Sequence, residues 1–115
     1  MRVNELVFNQ QESIVTMNIA PGTVVGDAVA FTAPATVGRG ADGDKLAGKV
    51  LKIESDGLGT VSLPGSGFTD IPAVGTLATG FQLLVVDGAG KAKVAAGGKE
   101  YLVNAVVAGT ANIQL

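Results

Sequence analysis

The sequence predicts an all-β fold, a compact small barrel or sandwich of about eight or nine short strands with glycine-rich loops and an extended N-terminal segment. Three observations point there. Short runs rich in Val, Ile, Leu and Thr are separated by clusters of Gly, Asp, Pro and Ser, the residues that turn a chain. Several of these runs alternate apolar and polar residues with the period of a strand. No window of helical length carries a sustained apolar stripe at helical spacing. The best one, 74–84, is interrupted by Gly75 and Gly80.

Taken in order, residues 1–12 hold Val3, Leu6, Val7 and Phe8 among polar neighbours and read as an N-terminal arm or first strand. Residues 13–115 read as one β domain. In 13–19, Val15, Met17 and Ile19 share one face and Thr16 and Asn18 the other, and Pro21-Gly22 then marks a turn. In 28–32, Val29 and Phe31 are expected to face together. The stretch 37–44, with Gly38, Gly40 and Gly43, has no strand pattern and is expected to be a mobile loop. Residues 49–54 alternate cleanly, with Leu51 and Ile53 expected inward and Lys52 and Glu54 outward. Val61 and Leu63 share a face in 60–63, and 65–69 reads as a shorter loop.

The continuous apolar run 81–86 is expected to be buried on both faces. In 91–94, Ala92 and Val94 oppose Lys91 and Lys93. Residues 101–107 form another long apolar strand. The last strand, 111–115, places Ala111, Ile113 and Leu115 on one side and Asn112 and Gln114 on the other. Two segments share the motif Asp-Gly-x-Gly between strands: Asp56-Gly57-Leu58-Gly59 and Asp87-Gly88-Ala89-Gly90. Asp-Gly suits the positive φ angles of a tight hairpin, and a second Gly suits a bulge.

Composition narrows the chemistry. The chain of 115 residues has no Cys and no His. That excludes disulfides, thiolate nucleophiles, Cys-ligated metal sites, His-based triads and the commonest general base. Lys and Arg number 8 against 10 Asp and Glu, scattered, which gives no footprint for nucleic acid. No run is long and apolar enough for a spanning helix, and the N-terminus lacks the apolar stretch of a signal peptide. Synthesis in a cytoplasm is therefore expected. Charged residues make up only 16% and the mean hydropathy is +0.42, against ~25% charged in average domains. A small chain so poor in charge points to apolar surface buried against neighbours.

The motifs that could carry catalysis or ligand binding reduce to turn chemistry. Gly38, Gly40 and Gly43 match the spacing of a dinucleotide fingerprint, but a strand follows where that mechanism needs a helix N-terminus. Gly90-Lys91 resembles the end of a phosphate loop, yet Val85 and Ala92 stand where it needs Gly and Ser or Thr. Asp42 and Asp44 offer oxygen ligands for a hard cation without the rest of a calcium loop. Asp27, Asp56, Asp70 and Asp87 occupy turn-like positions. Lys45, in Asp-Lys-Leu-Ala, lacks the surroundings of a lipoyl-bearing hairpin. Tyr101, inside an apolar strand, reads as a core or interface residue.

The layout as a whole resembles the capsid decoration proteins of tailed phages, also called cement or head-stabilising proteins. The likeness lies in the phrase Pro21-Gly22-Thr23-Val24-Val25-Gly26-Asp27-Ala28-Val29, then a Gly- and Ala-rich loop, then Gly48-Lys49-Val50-Leu51-Lys52-Ile53-Glu54 leading to the Asp56-Gly57 turn. It continues through Val85-Val86-Asp87 and Val103-Asn104-Ala105-Val106-Val107-Ala108-Gly109-Thr110. Where members often carry Ile-Gly-x-Ala near the end, this chain has Val103-Asn104-Ala105-Val106, without that glycine. The resemblance implies a non-enzymatic β body on the outside of a phage head, typically a trimer, bracing the expanded shell. Its partners would be the major capsid protein and other copies of itself, with no nucleic acid, membrane or cofactor, and it would reside on the virion surface. Arg2, Val3, Leu6 and Phe8 are the expected capsid contacts, with Arg39 a further candidate. Phe81, Leu83, Val85, Tyr101 and Val103 are expected at the subunit interface. The alternative is another β-rich assembly subunit, such as a tail-tube, fibre or adhesin domain.

Overall fold

A computed structural model describes residues 14–65 and 67–115 and shows an all-β molecule. The ten strands among the described residues form two layers. The first half of the chain makes a closed five-stranded barrel: β1 (Ile14–Ile19), β2 (Ala28–Ala33), β3 (Thr36–Gly38), β4 (Gly48–Ile53) and β5 (Leu58–Ser62), in the order β1-β3-β2-β4-β5. Antiparallel pairing of β1 with β5, from Ile14 opposite Ser62 to Asn18 opposite Leu58, closes it. The second half makes a five-stranded antiparallel sheet: β6 (Phe68–Pro72), β7 (Gly80–Val86), β8 (Ala92–Val94), β9 (Lys99–Val107) and β10 (Thr110–Gln114), in the order β6-β10-β9-β7-β8. Ala73, just after β6, bridges Ala92 of β8, so the sheet's two edge strands meet at one corner.

Strand alternation sorts the apolar residues into two cores. The barrel is filled by Val29, Val37, Val50 and Val61, with Met17, Ile19, Ile53 and Leu63 packed against them. A larger core lies between barrel and sheet and takes Ala28, Ala30, Leu46, Ile71, Leu84, Val86, Tyr101, Val103, Ala111, Ile113 and Leu115. β2 is the shared wall. Val29 points into the barrel, while Ala28 and Ala30 face the sheet and are small enough to let the layers approach.

Several sequence expectations change. Leu51 is exposed, because the β4–β5 ladder slips between Val50 and Lys52; one extra residue there sends Val50 and Ile53, three apart, to the same side. The expected mobile loop 37–44 is instead held in place. Val37 and Gly38 belong to β3, and the rest of the 39–47 connector is stitched to the sheet. Gly43 N–H donates to the Val86 carbonyl (3.0 Å), Val86 N–H donates to Asp44 (2.8 Å), and Lys45 bridges Val85. β6 begins inside the stretch expected as a loop at 65–69, and Pro72 is tolerated at its end because β6 is an edge strand. In 81–86, only Leu84, Val85 and Val86 are fully buried.

The two hairpin turns form as expected. Asp56 Oδ1 accepts from Leu58 N–H (3.1 Å). Asp87 Oδ1 accepts from Ala89 N–H (2.7 Å) and Lys91 N–H (3.1 Å).

Candidate functional site

The side of the sheet turned away from the core carries a row of apolar side chains. Phe68 of β6 stands opposite Gln114 of β10, Gln114 opposite Leu102 of β9, and Leu102 opposite Phe81 of β7. Directly paired residues share a face, so these four form one rung across four strands. Leu83, two residues on from Phe81, continues the apolar surface beside its partner Glu100. Phe68 is 52% exposed, Phe81 67% and Leu83 39%. Burying one Phe contributes on the order of 1.5–3 kcal/mol, and two are held here on a rigid ladder. Farther along the same face the surface turns polar. Asn104 Nδ2 donates to Asn112 Oδ1 (3.1 Å) and Asn112 Nδ2 donates to Asp70 Oδ1 (2.9 Å). Asp70 is thus a strand residue in an amide ladder and not the turn residue its sequence context implied.

A second apolar feature lies at the seam between the layers. A groove of about 440 Å³ is lined by Ala30, Phe31, Leu46, Ala47, Pro64 and Tyr101, with Asp44, Lys45 and Lys99 also on its walls. Phe31 was expected to share the inward side of Val29. It is 55% exposed here, near the end of β2, where the β2–β3 ladder shifts register between Phe31 and Ala33. A smaller groove of about 250 Å³ shares Pro64, Lys99 and Tyr101 with the first and runs on to Phe81, Leu102 and Leu115. Together they make one trough. The Lys99 ammonium lies 4.5 Å from the Tyr101 ring centre. The Tyr101 hydroxyl donates to the Leu46 carbonyl (2.5 Å). Burial pushes the Tyr101 phenol up to about 12, so it stays a neutral donor at physiological pH.

The charged residues that sequence reasoning singled out are engaged locally. Arg39 is not free for an outside partner. Its Nε donates to Asp27 Oδ2 (2.7 Å), and Asp27, only 6% exposed, also accepts from Val24 N–H (2.9 Å). That hydrogen bond and the carboxylate's charge push the guanidinium further above its ordinary range. Asp42 pairs with Lys93 (2.5 Å), and Asp44 Oδ2 accepts from Ala41 N–H (2.9 Å). Among the described residues no three carboxylates gather into a set able to hold a metal ion.

Of the residues expected at a subunit interface, Phe81 and Leu83 are exposed, but Val85, Tyr101 and Val103 are buried within the chain and present almost no surface to a neighbour. The reason differs by strand. Tyr101 and Val103 fall on the inner side of β9, and Val85 lies where the 39–47 connector runs beside β7. Arg2, Val3, Leu6 and Phe8 lie outside the described residues. Phe68 and Leu102 were missed. The alternation of Phe68 and Asp70 with Thr69 and Ile71 was the available signal for a strand there. No protein-family model and no curated protein matches this chain.

Proposed function

We propose that this chain is a structural, non-enzymatic subunit: a capsid decoration protein that binds the outer surface of a phage head as a homo-oligomer, in trimers, and stabilises the expanded shell. The observation that carries the reading is the uncovered Phe68–Leu102–Phe81 rung on a stiff two-layered β body. A protein whose work is adhesion needs apolar surface on a scaffold that does not deform, and it needs no acid–base machinery. The sequence likeness to phage decoration proteins supports the same reading. In this view the partners are the major capsid protein and other copies of the chain, without nucleic acid, membrane or cofactor. The protein would be made in the host cytoplasm and reside on the virion surface. Arg2, Val3, Leu6 and Phe8 remain the proposed shell contacts, and Phe81 and Leu83 the proposed contacts between copies.

The test is co-sedimentation of the purified protein with expanded and with unexpanded phage heads, alongside its mass in solution. Binding selective for expanded heads, weakened at least about tenfold when Phe68→Asp and Phe81→Asp are combined, is the expected result. No binding to any expanded head, or open-ended polymers of the protein alone, would overturn the reading in favour of a tube or fibre subunit.

A further inference from the structure

We propose that the larger groove at the seam between barrel and sheet binds a small amphiphilic anion, an alkyl carboxylate of medium chain length. Its chain would lie against Phe31 and Tyr101, with its head group at Lys45 and Lys99. Such binding does not depend on a phage shell. Its basis is the shape of the seam, the apolar lining and two cations that lack a counter-ion.

The shape follows from small residues. Ala30 of β2 and Ala47 of the connector line the seam, and neither side chain is long enough to fill the space beside Phe31 and Tyr101. A groove of about 440 Å³ remains, near the lower end of the range that takes small molecules. Two of its sides are tied together, because the Tyr101 hydroxyl of β9 donates to the Leu46 carbonyl of the connector. Phe31, 55% exposed, stands on another wall. An alkyl chain laid against it removes that apolar surface from water.

The charge on the groove is one-sided. Lys45 and Lys99 both line it, both are exposed, and neither makes an ion pair among the described residues. The Lys99 ammonium lies 4.5 Å from the Tyr101 ring centre, which keeps it beside the apolar lining. The one acid on these walls, Asp44, is turned back onto its own loop. Its Oδ2 accepts from Ala41 N–H (2.9 Å) and sits so close to Gly40 that a Cβ there would come within 2.9 Å of it. Glu100 pairs with Leu83 on the other face of β9 and lines only the smaller groove. Two cations without a counter-ion on an apolar wall match an occupant with an anionic head and an apolar body. The flat Phe68–Leu102–Phe81 rung suits a protein surface, whereas a concave seam of this size suits a small molecule.

The molecule carries its own reporter. Tyr101 is its one tyrosine and there is no tryptophan, so tyrosine emission reads this groove alone. Decanoate, kept below its micelle concentration, is expected to change that emission saturably and to bind at least about tenfold more tightly than decanol. Lys45→Glu combined with Lys99→Glu should invert the preference, so that decyltrimethylammonium binds more tightly than decanoate. Both lysines are exposed, so the fold survives the exchange, and unmoved NMR signals of Val29 and Val61 inside the barrel check it. In the unaltered protein decanoate should shift the signals of Phe31, Ala47 and Tyr101 and leave those of Phe68 and Leu83 in place. Equal binding of decanoate and decanol, shifts centred on Phe68 and Leu83, or an unchanged preference in the variant overturns the proposal. So does the absence of any response to decanoate. If the charge-reversed variant then also fails to sediment with expanded heads that bind the unaltered protein, the groove belongs to a protein segment instead.

Discussion

The two Asp-Gly-x-Gly hairpins, β4–β5 in the barrel and β7–β8 in the sheet, share a motif and differ in what its second glycine is for. The first glycine does the same work in both, since Gly57 and Gly88 each have φ of +87°, which side chains with a Cβ adopt only at a cost. Gly59 has no positive φ. It is glycine because a Cβ there would lie 2.5 Å from the Lys52 carbonyl oxygen and 2.6 Å from Ile19 Cγ1. The barrel leaves no room at that point. Gly90 has φ of +90°, and a Cβ on it would also overlap the Asp27 carboxylate that holds Arg39. Its carbonyl accepts from Ala28 N–H (2.9 Å), tying the sheet's turn to the barrel's second strand. One motif thus answers to close packing against a carbonyl and Ile19 in one layer, and to backbone conformation plus a partly buried ion pair in the other.

Substitutions can separate these causes. Gly90→Ala should be the most harmful, by about 3 kcal/mol or more, since it combines left-handed strain with displacement of a buried, charge-bonded carboxylate. Denaturant unfolding would check it, and a loss under about 1 kcal/mol would mean Asp27 and Arg39 move aside freely. Gly59→Ala should lose about 2 kcal/mol from overpacking alone. Combined with Ile19→Ala, which removes Cγ1 and Cδ1 together, it should cost less than the sum of the two single changes; strict additivity would deny the contact with Ile19 as a cause. Gly57→Ala meets open space and retains only the φ strain, so about 1 kcal/mol is expected from thermal melts. The smallest contrast is between the aspartates. Asp87 accepts two backbone N–H groups and Asp56 one. Asp87→Ala should therefore cost about 0.5–1 kcal/mol more than Asp56→Ala, and equal losses would count against the hydrogen-bond account.

What could be read from the sequence was whatever depends on near neighbours. The Asp-Gly turns, the alternation of Ala111 and Ile113 with Asn112 and Gln114, and the all-β class rest on local rules. What escaped depends on partners distant in the chain. β3 is only Thr36–Gly38 and becomes a strand because β1 and β2 flank it. The bulge at Leu51 belongs to the β4–β5 ladder and has no local signal. The candidate site divides the same way. Phe81 and Leu83 could be named as apolar, but their outward direction follows from Leu84 and Val86 facing the core. Phe68 and Leu102 join them only through cross-strand register, which a single sequence does not state.

Leu46 sits on the connector between the layers, with its side chain in the larger core and its carbonyl bonded to Tyr101. Ala47, next to it, donates its N–H to Val29 of the barrel (2.8 Å). The linking segment is therefore a structural part of both halves and not a tether between them. Heat or denaturant should then melt the molecule in a single cooperative transition, and amide exchange in the deepest strands of barrel and sheet should report the same opening free energy.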